Sequence, residues 1–197
     1  MKVILVIGRS QGTWEQVDDA SRLVGYCYGP FDQVVAVNDS GYIYPRVDHW
    51  VSFHGDKFEE WTRNRRNNGF EPAQLWTSTY GRKESPYERQ LGKLGVRRLN
   101  YTGGGSSGLV AALVALAHLH GSHVIIAGIP MDVEAGHYNQ AGPWKEAVRH
   151  RQAWQVQKEN GNLTNVRSMG GWTSALLGKP TKEWMKEKHT LKAINLR

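Results

Sequence analysis

The chain has 197 residues, a formal charge of +7, 40% hydrophobic and 22% charged residues, and a single cysteine, Cys27. That composition excludes a disordered or membrane-embedded chain and suits one globular domain, 1–197, large enough to bury a core. One thiol excludes an internal disulfide framework and a cysteine zinc site, and the basic balance favours anionic partners: nucleotides, nucleic acid or acidic surfaces.

In chain order, Val3 to Gly8 is an apolar run that reads as a first strand; it lacks the cleavage site of a signal peptide, so the protein is expected in the cytoplasm. Thr13 to Val24 predicts a helix and Val34 to Asn38 a second strand, which makes a β-α-β opening. Both strands are apolar on both faces, as parallel strands covered by helices are. Trp50 to His54 predicts a third strand, Asp56 to Asn68 a helix stopped by Gly69, and Gln74 to Thr77 a fourth strand. Gly81 to Gly95 reads as a loop or short helix, and Val96 to Tyr101 as a short strand into Gly103-Gly104-Gly105-Ser106-Ser107-Gly108.

The uniformly apolar stretch from Ser107 to Leu119 predicts a buried helix with Gly121 as its C-cap; it is too short to span a bilayer. Val124 to Ile129 is the next strand, Pro143 to Lys158 a long helix with Pro143 at its start, and Asn165 to Arg167 a last strand. Helices over Gly171–Leu177 and Thr181–Lys188 form a small closing segment from about residue 171. Alternating strands and helices imply a single doubly wound, mostly parallel α/β sheet with helices on both faces, whose ligands bind at the carboxyl ends of the strands.

Polar residues at those ends are therefore the candidates. They are Gly8, Arg9 and Ser10 after the first strand, Asn38 after the second, His54 after the third, and Asp132 with His137 after the strand at 124–129. The glycine turn leaves backbone free to approach a ligand and opens a helix whose first N–H groups attract an anion, with Ser106 or Ser107 as cap; the alternative is a packing turn under the sheet. Asn38 suits a base or ribose, or closes its strand with an Asx-turn. His54 is a ligand contact or a cap before Asp56, and His49 is structural. His137 has the chemistry of a general base, or is an idle loop histidine, and Asp132 can hold a divalent ion beside a nucleotide phosphate. His118, His120 and His123 lack the partners of a zinc site. Basic clusters such as Arg63, Arg65 and Arg66 lie beside Glu59 and Glu60 and read as solvated helix faces; nucleic acid is allowed by the charge without a known motif.

The order of these motifs resembles the small Rossmann-like bacterial sialyltransferases that use CMP-sialic acid, and related phage and prophage proteins of unknown role. The likeness runs through the Gly8 loop, Ala36-Val37-Asn38, Ser106-Ser107-Gly108 with its alanine-rich helix, Ala127-Gly128-Ile129, His137-Tyr138, and the close from Asn165-Val166-Arg167-Ser168-Met169 through Leu176-Leu177-Gly178-Lys179-Pro180. Asp48 to His54 and Gly171-Trp172-Thr173 through Trp184 look most like the phage members. The resemblance implies a nucleotide-dependent glycosyltransferase-like enzyme with a cytidine-type donor. It carries CMP contacts onto Asn38, Ser107 and His54 and a histidine base onto His137. Two positions depart from the family: Arg9 stands where the transferases have an asparagine, and Asp132 aligns with a tyrosine that steadies the leaving phosphate. An aspartate there repels phosphate unless Mg²⁺ intervenes, which fits instead the Mg-ATP chemistry of the fold's archaeal 6-hydroxymethylpterin diphosphokinase relative. Mg-dependent phosphoryl or diphosphoryl transfer is thus the alternative, with a non-enzymatic nucleotide- or nucleic-acid-binding protein as the third expectation.

Overall fold

Runs of β-branched and leucine residues build the sheet, and their alternation decides which helix covers which face. The computed structural model describes residues 1–78, 88–134, 143–189 and 194. The strands are β1 (Val3–Ile7), β2 (Gln33–Val37), β3 (His49–Val51), β4 (Gln74–Ser78), β5 (Arg97–Leu99), β6 (His123–Ala127) and β7 (Val166–Ser168). The helices are α1 (Thr13–Cys27), α2 (Phe58–Asn67), α3 (Glu88–Lys93), α4 (Ser107–Ala117), α5 (Glu146–Glu159), α6 (Gly171–Leu177) and α7 (Lys182–Lys186).

The strands form one seven-stranded sheet in the order β5-β4-β3-β2-β1-β6-β7, and every neighbouring pair is parallel. The Rossmann-like α/β expectation therefore holds, with a sheet that is parallel throughout. Val3, Leu5 and Ile7 pack with α1, Phe58 of α2 and Leu91 of α3, while Ile4 and Val6 face α4, Trp154 of α5 and Leu177 of α6. Trp184 and Met185 of α7 join the α1 face, so the closing helices cover both sides. Ser107 through Leu116 are all buried, the state expected of a helix that is apolar all round.

From β1 the chain steps outward to β5, then α4 carries it back across the other face to β6, on the far side of β1. Right-handed crossovers on opposite faces produce that reversal, and it opens a crevice above the carboxyl ends of β1 and β6, where the chain leaves the two strands toward opposite faces. Gly8 keeps the two strand ends together: its N–H donates to the Ala127 carbonyl at 2.8 Å, and a Cβ there would stand 2.3 Å from the Gly128 oxygen.

Several boundaries differ from expectation by a few residues; α1 runs on to Cys27, and β6 and β7 cover His123–Ala127 and Val166–Ser168. β3 ends at Val51 because the Ser52 hydroxyl turns to Asn38 and to the His54 N–H. α5 starts at Glu146, three residues after Pro143, since the Trp144 N–H is held by the Val133 carbonyl at 2.8 Å. α7 covers Lys182–Lys186 with Thr181 as its N-cap. After α4 the left-handed residue is His120 at φ 55°; Gly121 instead meets a steric limit, as a Cβ there would crowd Ile4 and the Ala115 carbonyl. Among the described residues no helix is long and apolar enough to cross a membrane.

Candidate functional site

A cavity of about 400 Å³ sits at the crevice between β1 and β6. Its floor and walls come from the loops after β1, β2, β3 and β6, the turn that opens α4, and the approach and first turns of α5. That volume lies within the usual range for small-molecule sites. Of the sequence candidates, Gly8, Ser10, Asn38, His54, Gly105, Ser106, Ser107 and Gly108 all line it.

The glycine turn positions α4. Gly104 and Gly105 take φ of 70° and 94°, left-handed values that glycine adopts without cost. Ser106 then caps α4, accepting from the Leu109 N–H at 3.3 Å, and its oxygen also accepts from the Trp154 indole N–H at 3.3 Å. Ser106 is therefore committed to the scaffold, whereas Ser107 ties the scaffold to the site by accepting the Phe53 N–H at 3.1 Å. The amino end of α4 faces the cavity, so the positive end of the helix dipole meets whatever occupies it.

Two non-glycine residues on the cavity wall have left-handed backbones: Asn38 at φ 53° and Met131 at φ 54°. Asn38 is secured from two sides. Its side-chain oxygen accepts from Ser52 Oγ, and its carbonyl accepts from the indole N–H of the fully buried Trp50. With Oδ1 engaged, the amide nitrogen of Asn38 is the group left to donate to a ligand. Ser10 is more peripheral: its hydroxyl donates to the Gln11 carbonyl at 3.2 Å and its carbonyl accepts from Thr13 at the start of α1.

Arg9 forms an ion pair with the buried Asp39 and donates to Tyr42 Oη at 3.3 Å. Both charges line the cavity, so Arg9 arrives already paired with a carboxylate.

Asp132 lies just beyond the cavity lining. Its Oδ1 accepts from the Trp172 N–H at 2.9 Å, at the start of α6, and stands 3.6 Å from Arg151 Nη2. Arg151 also donates to the Met131 carbonyl at 2.9 Å and covers the Trp172 ring, so the aspartate belongs to a clasp between α5 and α6. Among the described residues no group of three or more histidine, cysteine or acidic residues is placed to hold a metal ion. His137 lies outside the described residues.

Sequence reasoning missed Glu146 and His150. They stand four apart on α5, on one face of the helix, and both line the cavity. The readable signal was Glu-x-x-x-His directly after Pro143-Trp144. The His150 ring lies 5.7 Å from that of Trp144 and stands beside the Gly105 backbone of the glycine turn. Burial, reinforced by Arg149, lowers its pKa below the ordinary histidine value, against the opposing pull of the Gly105 backbone and Glu146.

The fold and cavity together define an α/β protein with a ligand-sized crevice at its topological switch point. Compared with family models, curated proteins and solved structures, the chain matches none.

Proposed function

We propose that the switch-point cavity binds a nucleotide, and that the protein is a glycosyltransferase-like enzyme passing a group from a nucleotide donor, of cytidine type, to an acceptor hydroxyl. The phosphate lies at the glycine turn and the amino end of α4, and the nucleoside lies toward Asn38 and His54. The observation that supports this reading is convergence: Asn38, His54 and Ser107, which the family resemblance singles out from distant parts of the sequence, border one cavity and are joined through Ser52 and Phe53. The base assigned to His137 rests on the resemblance. Asp132 as a Mg²⁺ ligand gains no support from its place, since its carboxylate is engaged by Trp172 and Arg151.

The test is thermal stability in CMP, UDP, ADP, GDP and CMP-sialic acid, each with and without Mg²⁺. A ligand at about 100 times its Kd adds roughly 2.7 kcal/mol, enough to move Tm by several degrees. A metal-independent shift with the cytidine nucleotides is expected. A shift only with ADP and Mg²⁺ would replace transfer from a cytidine donor by phosphoryl transfer, and no shift with any nucleotide would overturn nucleotide binding.

A further inference from the structure

The charged side chains among the described residues that line the cavity are one arginine, Arg9, and two carboxylates, Asp39 and Glu146. Arg9 is already spent on Asp39. A phosphate arriving at the amino end of α4 therefore meets helix N–H groups but no surplus cationic side chain, and it shares the cavity with Glu146. Two imidazoles on the wall, His54 and His150, can supply the missing charge. His54 is exposed, whereas His150 is half-buried and in direct contact with the glycine turn.

We propose that His150 is a phosphate-contacting residue of this cavity, and that a phosphate-bearing ligand enters together with one proton taken up by His150. The proposal rests on the nucleotide reading above and deepens it. The Gly105 backbone beside the ring favours its protonated form. Gly105 immediately precedes Ser106, the N-cap of α4, so an imidazolium at this place stands beside the helix end where the phosphate settles. The reaction is association only: ligand, neutral His150 and H⁺ from solvent give the ligand bound to imidazolium.

The groups around His150 set the balance. On α5, Glu146 favours the charged ring and Arg149 opposes it, while burial opposes it most. Across the cavity stand the Arg9–Asp39 pair and His54, and beside it the Arg151–Asp132 clasp. Burial favours the neutral ring at pH 7, and the negative charge of a ligand opposes it. The sign follows: the ring binds its proton more tightly in the complex, so affinity is highest in acid and falls as pH rises between the free and the bound midpoints.

The experiment is proton–carbon NMR of the full chain between pH 5 and 8, with and without inorganic pyrophosphate as probe. The His150 imidazole is assigned with H150Q, and the Ser107 and Gly108 amides are followed in the same samples. The expected result is that both amides shift with pyrophosphate and the His150 midpoint rises by about one pH unit, a tenfold change in proton affinity. Shifted amides with an unmoved His150 midpoint would overturn the proposal and leave the phosphate site standing. Unmoved amides would remove the phosphate site and the proposal with it. As a second readout, the ratio of pyrophosphate affinities, natural protein over H150Q, is expected to fall by up to about tenfold in all as pH rises through that window, the ligand's own titration being common to both; a ratio independent of pH would overturn the coupling.

Discussion

Ser52 Oγ donates to the side-chain oxygen of Asn38 at 2.8 Å, and the same Ser52 oxygen accepts the His54 N–H at 2.9 Å. One hydroxyl thus fixes two cavity-lining residues from adjacent strand ends. Replacing Asn38 by Ala removes this bond and leaves a β-carbon in a left-handed backbone, a combined cost of about 2–3 kcal/mol. Asn38→Gly loses the bond but relieves the backbone, so urea unfolding should rank natural protein, Asn38→Gly and Asn38→Ala in falling order. The two variants being equal would show that backbone conformation contributes nothing here.

Ser106 serves as helix cap and as acceptor for the core indole of Trp154, which is fully buried. Ser106→Ala should cost about 1–3 kcal/mol, since it uncaps α4 and strands an indole N–H. In the Trp154→Phe background the same change should cost less, because no donor is left unpaired. A double-mutant cycle from denaturant unfolding measures the difference, and a coupling near zero would separate the two roles.

Arg65, expected on a solvated helix face with Arg63 and Arg66, is instead 2% exposed and donates to four carbonyls, those of Gly41, Tyr44, Pro45 and Glu71. It therefore holds the segment after β2 that carries Asp39. A lysine keeps the charge but not the planar fork, so Arg65→Lys should lose about 2 kcal/mol or more in urea unfolding. Retention of full stability would show that the fork is replaceable.

Two glycines near the cavity should respond very differently to alanine. Gly8→Ala puts a methyl against the Gly128 backbone, where nothing can yield without parting β1 from β6, and a loss above about 3 kcal/mol is expected. Gly104→Ala meets open space and only the left-handed penalty, about 1 kcal/mol. Thermal melts of both variants decide the contrast.

His123 is fully buried, packs against the rings of Trp184 and His189, and burial lowers its pKa; His49 and His118 are lowered by the same cause. Above the ordinary histidine value, about 6.5, folded and unfolded chains are both neutral at these rings and pH has no leverage through them. Below it the unfolded chain takes up protons first, so stability falls with acid, by up to about 1.4 kcal/mol per pH unit for each ring. His123→Gln, which keeps a donor for the Trp184 carbonyl, should flatten Tm between pH 7.5 and 5.5. An unchanged slope would exclude His123 as a contributor.

The sheet was readable where its strands are two-sided apolar runs, as at Val3–Ile7 and Val124–Ala127, and less so at the edges, where β5 is Arg97-Arg98-Leu99 and β7 Val166-Arg167-Ser168. Strand order was less so, since it depends on which face α4 crosses. The cavity was legible where backbone chemistry leaves a mark, as in the glycine turn and Asn38. It was not legible at α5, where Glu146 and His150 look like ordinary surface residues until the loop after β6 fixes the helix against the crevice. Asp132 carries a contact that its place after a strand did not foretell: one oxygen of its carboxylate meets the Trp172 N–H and Arg151.

The pairing of β1 with β6 also bears on how the molecule comes into being. These strands are separated by more than a hundred residues, and parallel partners so remote close late because loop entropy must be overcome first. A chain emerging from the ribosome can complete β1, α1 and β2 long before β6 is made, yet Gly8 then has no opposite wall. The crevice is thus absent from every partly folded form lacking β6, and a ligand that needs it would stabilise only the finished molecule.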